Sequence, residues 1–461
     1  MAHKTKEIIL GAALPIAALM MGAIVAGCSE TGKHGVSSAV SPADMEKALH
    51  AYADCMRENG LPTFPEPTGD GLNLNGSGID RDSQVFKDAQ STCSVHLPRP
   101  PDDANRPHRS GPGEQQGGRG EGNGRRISES NDFKWQRIVP GGDCECADGS
   151  EYAFFDAKVD STKVVLYLDG GGVCFDAESC ANQNTPGTGE RPGPDYDPSI
   201  EGENPSNEGG LFLTDRANSP FAGFSFIYVP LCTADAHLGT ATRTYSPELT
   251  VHHKGFVNGS AALNYLTKNY PDAAQIVVVG NTAGAAAAPL YGGLLADQLP
   301  NARVTVFGAQ SGSFPNDPDL NAKTGELWGA YANMPNWDVN KGLTARDWGS
   351  QQLWIQVGRH NPKVALARFD FAFDPNAIGT LEYLKVPDPS NTLAKIDANE
   401  KLIEAAGVDL HSYVAPGNGH GILEFDIFYE MEVNGVKLAD WVKALVDAKP
   451  LPDVHCDNCK E

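Results

Sequence analysis

Residues 275–284 read Gln275-Ile276-Val277-Val278-Val279-Gly280-Asn281-Thr282-Ala283-Gly284. The first five form a short apolar, β-branched run that ends at a glycine, the pattern of a buried strand. Residues 283–299 are rich in Ala, Gly and Leu and read as a helix whose small side chains permit close packing. Between them lies Gly280-Asn281-Thr282-Ala283-Gly284. Two glycines allow a tight strand-to-helix turn, and the central side chain is then presented at the carboxyl edge of a sheet. That is the setting of a nucleophile elbow. It is equally the setting of a glycine-rich turn that only packs helix on sheet, so the decision rests on what surrounds it.

Strand patterns at 163–168 (K-V-V-L-Y-L), 224–229 (F-S-F-I-Y-V), 303–307, 364–373 and 410–414 alternate with helical stretches, one across 261–266 and a closing one that carries Trp441 and Leu445. Such alternation predicts an α/β fold, a mostly parallel sheet with helices on both faces. Asp169-Gly170-Gly171-Gly172 follows one strand as an oxyanion loop would. Backbone N–H groups of that loop, with that of Ala283, would then converge on a carbonyl oxygen. Cys174 and Cys180 come next, and a disulfide between them would pin that loop. Downstream, Pro416-Gly417-Asn418-Gly419-His420-Gly421 follows a strand and offers a histidine in a glycine-rich turn. Asp374, with Asp370 as the alternative, ends the strand before. The order Thr282, Asp374, His420 is nucleophile, acid, base, as in α/β-hydrolases.

These segments together resemble the pectin acetylesterase/Notum family. Residues 168–180 (L-D-G-G-G-V-C-F-D-A-E-S-C) are similar to its L-E-G-G-G-W-C stretch with a second Cys. Residues 228–239 (Y-V-P-L-C-T-A-D-A-H-L-G) are similar to its I-P-Y-C-T-G-D-V-H-x-G stretch. His253-Lys254-Gly255-Phe256 and the turn at 280–284 complete the set, which covers about 300 residues, 135–446. The resemblance implies an α/β-hydrolase that cleaves carboxylic esters, typically O-acetyl groups on polysaccharides, with no metal or cofactor. It implies Thr282 as nucleophile, Asp374 as acid, His420 as base, and Gly171, Gly172 and Ala283 as oxyanion donors. Asp235 and His237 either line the pocket as substrate-binding residues or brace their own loop. Two departures stand out: Thr282 occupies the usual serine position, and Val173 sits where the family often has Trp. Thr carries the hydroxyl that attack needs, while its extra methyl stiffens χ1. The alternative is a catalytically impaired relative that binds a glycan or other ligand in the same cleft.

The chain has 461 residues and a net charge of −23, which argues against nucleic acid as partner. Lys4 and Lys6 precede an almost continuously apolar run, 8–26, and Val25-Ala26-Gly27-Cys28 ends it. This resembles a bacterial lipoprotein signal peptide, 1–27, with Cys28 taking a lipid anchor; an uncleaved membrane anchor is the other reading. Either way the remainder is expected outside the cytoplasm; the lipoprotein reading makes it lipid-anchored to the cell membrane, and a monomer is expected. Residues 41–98 read as a small helical module stapled by Cys55 and Cys93. Residues 99–132 read as a disordered Pro/Gly-rich linker, and 133–461 as the large domain. Ten cysteines suit an oxidising compartment. Cys456 and Cys459 form a C-x-x-C pair without the second pair that zinc would need. A Cys146–Cys232 bridge is expected as well; the partners of Cys144, Cys456 and Cys459 stay open. The anchor is directly testable. Mass analysis of the mature N-terminus should find chain start and diacylglycerol thioether at Cys28; an unmodified Cys28 or an intact Met1 would refute it.

Overall fold

The computed structural model describes residues 42–67, 85, 86, 89, 93, 131–181 and 194–460. The signal segment with Cys28 and the linker except for its last two residues lie outside them. Two compact units divide the chain, 1–115 and 116–461.

In the first unit a helix, Pro42–Glu58, is followed by a proline-rich turn. Tyr52, Ala53 and Met56 from the helix bury against Leu61, Phe64, Phe86 and Ala89. So few apolar side chains make a marginal core. The Cys55–Cys93 disulfide, Cα atoms 5.6 Å apart, adds about 3–4 kcal/mol by closing a loop of 38 residues.

The described residues of the second unit contain thirteen strands: β1 (Gln136–Ile138), β2 (Phe154–Ala157), β3 (Lys163–Leu168), β4 (Ser225–Val229), β5 (Ala241–Ser246), β6 (Leu249–His253), β7 (Gln275–Asn281), β8 (Arg303–Ala309), β9 (Ala365–Phe371), β10 (Leu410–Ala415), β11 (Glu432–Val433), β12 (Val436–Lys437) and β13 (Val454–His455). Nine form one sheet in the order β1-β2-β4-β3-β7-β8-β9-β10-β13. From β4 to β13 every pairing is parallel, while β2 joins β4, and β1 joins β2, antiparallel. Two hairpins, β5–β6 and β11–β12, stand apart.

Side-chain alternation sorts the core into two layers. Val165, Tyr167, Val277, Val279 and Phe307 face one side, with Trp441, Val442 and Leu445 of the closing helix Leu438–Val446. Val164, Leu166, Leu168, Ile276, Val278 and Val306 face the other, under the helices Gly255–Asn269, Ala283–Gln298 and Ser350–His360. This is the expected mostly parallel sheet covered on both faces.

The helix Ala283–Gln298 lies close to the sheet because its sequence lets it. A Cβ on Gly284 would come within 2.1 Å of the Leu168 carbonyl oxygen, and one on Gly292 within 2.3 Å of Val306 Cγ2. The obstacle at Gly284 is backbone and cannot swing aside. Gly284→Ala should therefore cost about 2–3 kcal/mol of stability, seen as a lower urea midpoint. An unchanged midpoint would contradict so close an approach.

Candidate active site

The parallel strands end on one edge, and the loops leaving β3, β7, β8, β9 and β10 enclose a cleft of about 1180 Å³. Thr282 follows β7 with φ 46° and ψ −111°, a left-handed conformation that a β-branched residue rarely adopts. Its N–H donates to Ala309 O at 2.9 Å, the last tie between the turn and β8. Gly280 and Gly284 make the turn possible: a Cβ on Gly280 would stand 2.5 Å from Ala285 Cα. Thr282 is half-buried and lines the cleft.

The loop after β3 is equally constrained. Gly171 has φ 135° and Gly172 φ 81°. Side chains there would strike the carbonyl oxygens of Leu231 at 2.2 Å and Asp195 at 1.9 Å. Asp169 Oδ1 accepts the Gly170 N–H at 2.7 Å, and the Tyr228 hydroxyl donates to Asp169 Oδ2 at 2.5 Å. Val173 N donates to Asp195 O, and Asp197 N to Gly171 O. The N–H groups of Gly171, Gly172 and Ala283 have no acceptor among the described residues, and all three residues line the cleft. Ala283 opens its helix, where partial positive charge accumulates. Three backbone donors beside Thr282 match what an oxyanion requires. The Cys174–Cys180 disulfide and the Cys146–Cys232 disulfide flank this loop, with Cα separations of 4.9 Å and 5.1 Å. A fourth bridge joins Cys456 to Cys459, and Cys144 is the free thiol among the described cysteines.

His420 sits on the loop after β10. Its Nδ1 lies 2.8 Å from Asp374 Oδ2. Asp374 does not end β9; it follows three residues later as N-cap of the helix Pro375–Tyr383. Its Oδ1 accepts the N–H groups of Asn376 at 2.9 Å and Ala377 at 3.3 Å. A carboxylate thus bound cannot donate, so Nδ1 carries the proton and Nε2 is left as the basic nitrogen. Asp370, the alternative acid, points elsewhere. It accepts the Gly312 N–H at 2.8 Å and faces Arg368 Nε at 3.9 Å, and burial pushes its carboxyl up to about 7.

One expectation needs correction. Asp235 and His237 do not line the cleft: both are fully buried behind its wall. Asp235 accepts the Gly255 N–H at 2.7 Å and the Thr233 hydroxyl at 2.8 Å, and burial raises its carboxyl to about 7. His237 Nε2 donates to Asp169 O at 2.9 Å, and burial holds its pKa down to about 4, so the ring is neutral. The pair braces its loop, which presents Ala236 and Leu238 to the cleft instead. No hydrogen bond joins Thr282 to His420 among the described residues. Thr282 Oγ1 is turned to the glycine loop, where a Cβ on Gly170 would come within 2.3 Å of it. Residues the sequence did not announce also line the cleft: Gln310 at its base, and Phe175, Phe314, Trp328, Trp348 and Leu384 on an apolar wall.

Comparisons with known proteins bear on the fold. Residues 139–341 match the pectinacetylesterase family model. Over that stretch the large domain is similar to pectinacetylesterases. The match contains the glycine loop and Thr282, while Asp374 and His420 lie beyond it. The fold is similar to the crystal structure of the Wnt deacylase Notum from Drosophila, with a TM-score of 0.54 and 18% identity over 72% of this chain and 97% of that one. No curated protein sequence matches the chain. The large domain thus carries an α/β-hydrolase architecture, with the pectinacetylesterase match confined to residues 139–341.

The two aspartates separate cleanly in an experiment. Asp374→Asn should lower turnover of an acetyl ester by about 10³–10⁴-fold, because the amide no longer holds the Nδ1–H tautomer; Asp370→Asn should stay within about threefold of the parent. Asp370 also carries a pH signature. Its carboxyl titrates near 7 when folded against an ordinary 3.8, so the folded chain keeps a proton that the unfolded chain has lost. That contribution is fully present below 3.8 and is lost as pH rises towards about 7. The melting temperature of Asp370→Asn relative to the parent should therefore rise between pH 4 and pH 7; a flat difference would refute the shift.

Proposed function

We propose that the cleft hydrolyses carboxylic esters, with O-acetyl groups on a glycan or a small acetyl ester as substrate and with Thr282, His420 and Asp374 as the working triad. The observation that carries this reading is the 2.8 Å His420–Asp374 pair in the same cleft as Thr282 and three backbone donors that have no acceptor among the described residues. A cleft that only bound ligand would have no use for a buried carboxylate holding a histidine in its basic tautomer.

In the proposed reaction Thr282 rotates about χ1 to bring Oγ1 towards His420 Nε2. Nε2 takes the hydroxyl proton as Oγ1 attacks the ester carbonyl, and Asp374 stabilises the imidazolium that results. The carbonyl oxygen becomes an oxyanion held by the N–H groups of Gly171, Gly172 and Ala283. Collapse of this intermediate expels the alcohol, which receives the proton from Nε2, and leaves an acyl ester on Thr282. Water, deprotonated by Nε2, attacks that ester and releases the acid; Thr282 recovers its proton. Val173, Ala236, Leu238, Ala286 and Trp328 form an apolar wall next to Ala283 that suits the acyl side of the ester. Anchoring through Cys28 would hold the domain at the outer face of the cell membrane.

A second reading has its own support. The Thr282 hydroxyl faces Gly170 and has no bond to His420, which favours a relative that binds an ester or glycan without turning it over. Chromogenic acetyl-ester hydrolysis by the mature protein decides. Under the first reading Thr282→Ser retains or raises kcat, since it keeps the hydroxyl and loses the stiffening methyl. Thr282→Ala and His420→Ala each lower kcat by about 10³-fold or more. Full activity of Thr282→Ala would refute the nucleophile. An inactive parent with an active Thr282→Ser would establish the binding reading.

A further inference from the structure

One side chain ties the histidine loop to the end of β8. Gln310 directly follows β8, is 5% exposed and lines the cleft floor. It has φ 68°, and its N–H donates to Phe369 O of β9 at 2.7 Å, so its backbone is fixed between two central strands. Its Oε1 accepts the N–H groups of Gly421 at 2.6 Å and Ile422 at 3.3 Å, and its Nε2 donates to Gly419 O at 3.2 Å. The two N–H donors fix the amide's orientation, because the reverse would set donors against donors. The side chain therefore holds the main chain immediately before and after His420.

The loop needs such a hold. It reads Pro416-Gly417-Asn418-Gly419-His420-Gly421, with Gly417 and Gly421 at φ 90° and 72°, so its own sequence restrains little. Asp374 controls the ring and its tautomer but cannot set the height of the main chain that carries the ring. The neighbouring residue supplies the other half of the device: Ala309 O accepts the Thr282 N–H at 2.9 Å. Two consecutive residues thus hold both partners, Ala309 the nucleophile turn and Gln310 the base loop.

We propose that Gln310 is a positioning residue that sets the His420 loop against Thr282; its kinetic consequence rests on the ester-hydrolase reading, its structural consequence does not. Gln310→Leu keeps the bulk and removes all three hydrogen bonds. Gln310→Glu keeps the acceptor for Gly421 and Ile422 and loses the donor to Gly419. The full mature protein is assayed with a chromogenic acetyl ester, and amide hydrogen exchange is followed across residues 416–424. Gln310→Leu should lower kcat about tenfold to a hundredfold with KM changed less than about threefold, as a misplaced base does. It should also lose protection at Gly421 and Ile422. Gln310→Glu should restore that protection and most of kcat. Should Gln310→Leu fail to fold, Gln310→Asn, one methylene too short to reach the loop, carries the same expectation. Parental kcat together with parental exchange in these variants overturns the proposal. If the parent itself shows no turnover, exchange alone decides: loss confined to 419–422 supports the positioning role, and unchanged or domain-wide exchange overturns it.

Discussion

The cleft depends on how near one helix comes to the ends of two strands. The helix Ala283–Gln298 starts within van der Waals reach of the Leu168 carbonyl because Gly284 has no side chain, and it can leave β7 so abruptly because Gly280 has none either. Thr282 is forced to positive φ between them. That strain is sustained by cooperation. β7 is paired on both sides along its length, and the buried faces of Val277, Val278 and Val279 fix its register. A turn held this firmly delivers a side chain and a helix N-terminus to the same point, which is the combination acyl transfer requires.

Behind the cleft a layer of buried polar side chains does structural work that resembles chemistry. Asp235 and His237 have shifted pKa values, full burial and a place beside the glycine loop. Perturbed titration alone would nominate them as catalytic. Their partners say otherwise. Asp235 spends its oxygens on Gly255 and Thr233, and His237 supports Asp169 O, which leads into the loop. With Ala234, Ala236 and His237 all at positive φ, the segment needs those bonds to hold its shape.

The sequence was legible where a local rule has one physical solution. The buried strands β3, β4, β7, β8, β9 and β10 are dense in β-branched and aromatic residues, and the glycine turns beside them admit no other residue. Two disulfides, Cys146–Cys232 and Cys174–Cys180, followed from placing loops on that frame, and Cys55–Cys93 from the small core of its own module. What escaped was set by distant partners. The helix Ser350–His360 buries Gln351 and Gln356, which blurs its apolar stripe. β13 is two residues long and exists only because β10 offers an edge. Gln310 sits in an unremarkable stretch, and its meaning comes from residues more than a hundred positions away. The Thr282 hydroxyl's direction is a χ1 choice that no spacing rule encodes.

The sheet ends in β1, three residues long, on one side and in β13, two residues long, on the other. A long outer strand would offer a row of unpaired N–H and C=O groups to any other extended chain. Here the six-residue β10 is covered over Tyr413 and Val414 by β13, and the disulfide-closed turn at Cys456 and Cys459 follows at once. The terminal strands are too short to template a further one. A nine-stranded sheet is thereby kept from growing sideways into its neighbours, so that crowding many copies together need not end in strand-to-strand aggregation.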